Sequence, residues 1–276
     1  MAIGACPLTK VDKILVATDG SEAGKFAAQA AIELAKPCES TVYAICVAEV
    51  PVFAAEFVET LPQLIDRLEK RAKAALDEVK TLSEKNGVKC ETISYTGPDP
   101  FKYIIDEAIK NRVDLIILGK KGVMLGAVGT KVIANAPCKV LVVPVGATLN
   151  FDRIVIATDG SVYSQLAASE AIGMAKRFSS ELIIVSVAKK DENISYAEEA
   201  VQMVKEVAER EGVKVQSVIA KGEAFEQIVD TANKNAAGLI VMGTYGRTGI
   251  EKFFMGSIAE KVISTSARPV LVVKKK

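Results

Sequence analysis

The chain contains no histidine and no tryptophan. Without histidine there is no Ser-His-Asp triad, no Cys-His dyad and no imidazole metal ligand, so His-dependent catalysis is excluded outright. Aromatic side chains make up only 5% of the residues, too sparse for a platform on which single-stranded bases stack. Neither sign of charge is in excess. The 35 basic and 34 acidic residues leave a net charge of +1, which argues against electrostatic capture of nucleic acid or of a membrane surface. No apolar run approaches the roughly 18 residues that a membrane span needs. The opening MAIGACPLTK is polar and the first apolar run, ILVA, is short, so no secretory signal is read and a cytoplasmic location is expected. There is no C-x-x-C pair either. The five cysteines (Cys6, Cys38, Cys46, Cys90 and Cys138) are scattered through the first half, a pattern that predicts reduced, mostly buried thiols.

What is present is an internal repeat. At 276 residues and 29.4 kDa the chain is close to twice the commonest domain size. Residues 12–21 read DKILVATDGS and residues 152–161 read DRIVIATDGS, an offset of 140. LIILGKKG at 115–122 matches LIVMGTYG at 239–246, an offset of 124, and KVLVVP at 139–144 matches PVLVVK at 269–274, an offset of 130. The first copy therefore carries 16 extra residues between its first and fourth strands and lacks six before its last helix. Two domains, 1–147 and 148–276, joined near VGATLN at 145–150, account for the whole chain.

Each copy alternates strand and helix. ILVAT and IVIAT are short apolar runs closed by Asp-Gly-Ser, as buried parallel strands are. Ser21 and Ser161 suit N-caps of the helices that follow, in which Ala27, Ala30, Ala31 and Leu34 recur at helical spacing. The segments around 63–86 and 195–211 are amphipathic and end at Gly87 and Gly212, as at helix C-caps. Such βαβ units imply an open, doubly wound α/β sheet in each domain, with ligands at the carboxyl ends of the strands where the chain order reverses. The segment 49–66 of the first copy is more apolar than a solvated loop and fits a lid or a cover.

One motif carries chemistry. Gly243-Thr244-Tyr245-Gly246 follows the fourth strand of the second copy, and nine residues later Gly256-Ser257 opens a helix, giving G-x-x-G-x(9)-G-S. Glycines just past a strand permit φ > 0 and a close backbone approach to a ligand. A helix opening at Gly256-Ser257 offers N–H groups, a hydroxyl and the positive end of a dipole to an anion, with Arg247 within reach of a phosphate. The plain alternative is two turn glycines and a serine cap with no ligand. Neither G-x-x-x-x-G-K-[ST] nor G-x-G-x-x-G is present.

The strand-end ATDGS, a glycine after the third strand (Gly97 and Gly222), the MG-x-x-G-x(9)-GS signature and the terminal PVLVV together resemble the universal stress protein family over both halves. The resemblance implies two Rossmann-like domains, each an open five-stranded parallel sheet with helices on both faces. It also implies binding of ATP, ADP or AMP, with Mg²⁺ as an optional companion. Carried over residue by residue, it places Ala157, Thr158 and Asp159 beside the nucleotide, and the backbone of Val187 at the adenine edge. Met242 and Gly243 would flank adenine and ribose, and Gly246, Arg247, Gly256, Ser257 and Ile258 would cradle the phosphates. Tyr245 stands where many members carry histidine. Asp159 has an alternative role, capping a turn with Gly160.

The first copy keeps Asp19, Gly119 and Gly122, but Gly126-Ala127 falls opposite Gly256-Ser257, so its phosphate loop is six residues shorter and lacks the hydroxyl. Lys120 and Lys121 bring compensating charge there. This copy is expected to bind nucleotide weakly or not at all and to serve as a structural partner. In the family, fifth strands commonly pair across a pseudo-two-fold axis; Val140–Val143 and Val270–Val273 are the matching segments, and further homodimerisation is open. The leading function is thus a nucleotide-binding stress regulator. A slow ATPase, with Asp159 as the one plausible base, and a ligand-free interaction scaffold are the alternatives.

Overall fold

In both copies the first strand ends where an aspartate and a serine turn the chain into a helix. Ser21 accepts a hydrogen bond from the Gly24 N–H at 3.3 Å and Ser161 one from the Ser164 N–H at 3.2 Å, the expected N-caps. In the computed structural model, which describes residues 8, 11–50, 61–123, 125–246 and 255–274, the first half runs β1 (Lys13–Ala17), α1 (Glu22–Cys38), β2 (Thr41–Glu49), α2 (Leu61–Lys85), β3 (Cys90–Gly97), α3 (Pro100–Lys110), β4 (Leu115–Lys120), α4 (Ala127–Asn135) and β5 (Lys139–Pro144). The second half runs β6 (Arg153–Ala157), α5 (Val162–Phe178), β7 (Glu181–Ala188), α6 (Ile194–Arg210), β8 (Lys214–Lys221), α7 (Ala224–Lys234), β9 (Leu239–Gly243), α8 (Ser257–Thr265) and β10 (Val270–Val273).

The ten strands form one sheet in the order β3-β2-β1-β4-β5-β10-β9-β6-β7-β8. Strands within each half are parallel, and the halves join where β10 runs antiparallel to β5, with Val270 opposite Val142, Leu271 opposite Leu141 and Val272 opposite Val140. That pairing covers two strand edges that would otherwise be open. Helices pack on both faces. Ala31, Leu76, Met174 and Val204 from α1, α2, α5 and α6 share one core with the sheet, while Ile104, Ile133, Ile228 and Ile263 from α3, α4, α7 and α8 share the other. Gly87 and Gly212, just past α2 and α6, take φ of 70° and 76°, the left-handed turn that lets a helix end.

Two expectations need comment. Of the segment 49–66, Glu49 ends β2 and residues 61–66 open α2, while 51–60 lie outside the described residues. The thiols divide. Cys46, Cys90 and Cys138 are free, but Cys38 is disulfide-bonded, against the expectation of uniformly reduced cysteines. Cys38 ends α1 at a half-buried position, and scattered cysteine spacing alone does not reveal that such a helix end is bridged. Among the described residues no helix is long and apolar enough to cross a membrane.

Candidate functional site

Chain order reverses between β6 and β9, and there the carboxyl ends of β6, β7 and β9 meet the start of α8 around a cleft of about 640 Å³. The cleft gathers Ala157, Thr158, Asp159, Val187, Met242, Gly243, Tyr245, Gly246, Gly256, Ser257 and Ile258. Arg247 lies outside the described residues. Asp19, Gly119 and Gly122 belong to the other half and do not line this cleft.

At the end of β6 the backbone is tightly held. Thr158 is buried; its N–H donates to Val185 O at 2.9 Å, and its hydroxyl oxygen accepts from the Gly160 N–H at 3.3 Å. The Asp159 Oδ1 accepts from the Ser161 N–H at 3.0 Å, so the turn-capping role is realised, as it is for Asp19 with Ser21 at 2.9 Å. The other oxygen of Asp159 faces Gly246, where an added Cβ would come within 2.7 Å of it.

The signature glycines act differently from expectation. Gly243, Gly246 and Gly256 do not adopt positive φ; Gly256 has φ −58°. Close packing demands them instead. A Cβ on Gly243 would stand 2.7 Å from the backbone carbon of Tyr163 at the start of α5, and one on Gly256 would stand 2.8 Å from Thr244 O. Gly256 is the N-cap of α8 and donates its N–H to Thr244 O at 3.1 Å. Ser257 is the first helical residue rather than the cap, and among the described residues no side chain caps the helix. The N–H groups of its first turn therefore open toward the cleft without intrahelical acceptors. Tyr245 turns its ring edge-on to Tyr163, with centroids 5.2 Å apart.

Sequence reasoning missed several lining residues. Ser164 sits three residues past the Ser161 cap, and Lys189, Asn193 and Tyr196 follow β7 on the way into α6. The cap spacing could have suggested Ser164, but nothing local distinguishes Lys189, which is the cation among the described lining residues. Val185, Ala197, Ile228, Met242 and Met255 supply an apolar floor and wall.

The first half is built otherwise. Gly119 lies so close to the Ala23 carbonyl that any side chain would strike backbone. Lys121 reaches Glu22 at 3.3 Å in an exposed pair. Lys120 is 3% exposed and donates to three carbonyls of the other half, Ile263 O at 2.7 Å, Ser264 O at 2.6 Å and Ser266 O at 2.8 Å. The expected compensating phosphate charge is therefore not there: both ammonium groups have protein partners. Burial pulls Lys120 down to about 8 from the ordinary lysine range, and the three carbonyls satisfy its donors at neutral pH.

The geometry has counterparts among known proteins. Residues 10–144 and 150–274 each match the model of the universal stress protein family. A universal stress protein of Methanocaldococcus jannaschii is 39% identical over 141 residues, spanning 45% of this chain and 83% of that one. Another, from Synechocystis, is 28% identical over 234 residues, spanning 78% and 79%. The crystal structure of a universal stress protein from Archaeoglobus fulgidus shares the fold across 97% of this chain and 100% of its own, with TM-score 0.80 at 24% identity. With one match to each repeat and the same doubly wound sheet in both, the chain belongs to the universal stress protein family as a tandem member.

Proposed function

We propose that the second half binds an adenine nucleotide, ATP or its ADP and AMP relatives, and that the chain acts in the cytoplasm as a nucleotide-dependent regulator of the stress response. The observation that carries this reading is the glycine-capped start of α8 opening into a cleft at the switch point, where a helix N-terminus favours a phosphate. A volume of about 640 Å³ lies within the range of small-molecule sites. The base would rest against Met242, Ala197 and Ile228, with Val187 offering backbone groups to the adenine edge. The phosphates would lie on the N–H groups of Gly246, Ser257 and Ile258, near Lys189.

Binding is favoured over catalysis. Asp159 is the one carboxylate among the described lining residues, and one of its oxygens already holds a turn, so among the described residues no acid–base pair flanks the phosphates. Among the described residues no three His, Cys, Asp or Glu side chains gather to hold a metal. A Mg²⁺ ion accompanying the nucleotide would be carried chiefly by the phosphates. The first half, joined through β5 and β10, serves as a structural partner.

Native mass spectrometry with Mg-ATP tests the assignment, using Ser257→Asp as the variant. An aspartate in the first turn suits the helix dipole but repels a phosphate, so lost binding would not reflect lost folding. The expected result is one adenine nucleotide per chain, absent in the variant. No adduct in the unmodified chain, even at excess Mg-ATP, would overturn nucleotide binding. Two per chain would overturn its restriction to the second half.

A further inference from the structure

The helix whose start opens into the cleft is anchored at its far end by the opposite half of the molecule. We infer that Lys120, in the first half, is a positioning residue for the cleft of the second, holding the C-terminal end of α8 and thereby the placement of the N–H groups at its start. The inference rests on the nucleotide-binding reading above. Helix α8 has nine residues, about 14 Å end to end, and so short a helix is not stable without tertiary anchoring. Among the described residues its start has no side-chain cap. Its buried side chains Ala259, Val262 and Ile263 hold one face against the sheet, which restrains the helix against lifting off more than against sliding along its axis. The ammonium of Lys120 supplies the axial stop, since it meets Ile263 O, Ser264 O and Ser266 O at 2.6–2.8 Å where the helix ends. A cation at the C-terminus and an anion at the N-terminus are both favoured by the helix dipole, so the clasp and a bound phosphate act in the same sense.

The repeat shows that the position that makes this clasp is not shared between the halves. With the 124-residue offset, Lys120 corresponds to Thr244, a buried residue whose hydroxyl donates to Val273 O of its own half at 3.0 Å. The first copy has replaced that local bond by one across the junction. The reciprocal clasp comes from another position: Lys274, just past β10, donates to Ile133 O at 2.9 Å and Ala134 O at 2.8 Å at the end of α4. That clasp leads to the shortened loop of the first half and not to the cleft. Nature has thus supplied the control.

The test compares Lys120→Met, Lys120→Gln and Lys274→Met in the full chain. Mg-ATP affinity is read by calorimetry, and amide hydrogen exchange of residues 257–260 is read in the nucleotide-free protein. Both methionine variants should lower Tm. Only Lys120→Met should weaken Mg-ATP binding, by about tenfold, and speed exchange in the first turn of α8. Lys120→Gln, which keeps an uncharged donor, should fall between, and it carries the test if Lys120→Met does not fold. Unchanged affinity and exchange in both Lys120 variants would overturn the positioning role, as would an equal loss in Lys274→Met. An unmodified chain that takes up no Mg-ATP would overturn the nucleotide reading itself.

Discussion

Lys139 of β5 and Glu170 of α5 meet at 3.0 Å across the junction of the halves, with side-chain exposures of 15% and 9%. The pair has no twin in the repeat. By the offsets of 130 and 140, Lys139 corresponds to Pro269 and Glu170 to Ala30. A half docked on a copy of itself would bury a charge opposite an apolar residue, so this contact selects the unlike half. Removing one partner of a buried pair leaves the other charge desolvated. Glu170→Ala should therefore destabilise the chain by about 3 kcal/mol, while Lys139→Met with Glu170→Leu should come back to within about 1 kcal/mol of the unmodified protein. Urea unfolding of Lys139→Met, Glu170→Leu and their double closes the cycle, with Glu170→Ala read beside them. A double variant no more stable than Glu170→Ala would show that the pair is not the operative contact.

The two junction lysines give the fold a pH dependence of known sign. Burial pulls Lys120 and Lys274 down to about 8, whereas in the unfolded chain both return to the ordinary lysine range. Between about pH 8 and pH 10.4 the unfolded chain then holds more protons than the folded one, so stability rises with pH across that window. Below it both states are fully protonated and these groups contribute no slope. The double variant Lys120→Met, Lys274→Met should lack this rise. Urea midpoints for both proteins across the window would show it as a widening difference; a difference that stays flat or narrows would refute it.

The free thiols should be inert in the native state. Burial pushes the Cys46 thiol up to about 11, with the Asp19 charge adding to it, and pushes Cys138 up to about 12, with Asp114 adding. Burial also raises Cys90. Since the thiolate is the reactive form, an aromatic disulfide reagent at about pH 8 should label these three slowly in folded protein and quickly in denaturant. Peptide mapping that finds rapid native labelling at Cys46 or Cys138 would contradict their placement.

What could be read from sequence was whatever depends on near neighbours. ILVAT and IVIAT announce strands, Ser21 and Ser161 announce caps, and Gly87 and Gly212 announce helix ends, because each signal is spent within one turn of chain. The repeat then carried the topology from one half to the other. The cleft residues at the strand ends followed from the family pattern, whereas Lys189 and Tyr196 did not, since the link after β7 and the first turn of α6 carry no motif. Lys120 was misread for a physical reason. A lysine beside two glycines looks like phosphate chemistry, and only the fold brings it to Ile263, 143 positions away. The glycines were misread too, as sources of positive φ, because sequence does not say which backbone will press against them.

That distinction separates two glycines of one motif. The nearest atoms to a Cβ on Gly243 would be the Tyr163 backbone carbon at 2.7 Å, its Cβ at 2.8 Å and its carbonyl oxygen at 2.9 Å. Backbone at the start of α5 cannot swing away, so Gly243→Ala should force helix and strand apart and destabilise the fold by about 1–3 kcal/mol. Among the described residues the nearest atom to a Cβ on Gly246 would be Asp159 Oδ2 at 2.7 Å, with no other closer than 3.8 Å. A side-chain carboxylate yields more readily than backbone, and Gly246 is exposed, so Gly246→Ala should cost about 1 kcal/mol or less, below the cost of Gly243→Ala. Its methyl and the displaced carboxylate would instead intrude on the cleft and weaken nucleotide binding. Urea unfolding and Mg-ATP titration of both variants test the separation. A Gly243→Ala protein as stable as the unmodified chain would remove the packing account, and a Gly246→Ala protein that binds undiminished would show that phosphates do not approach this turn.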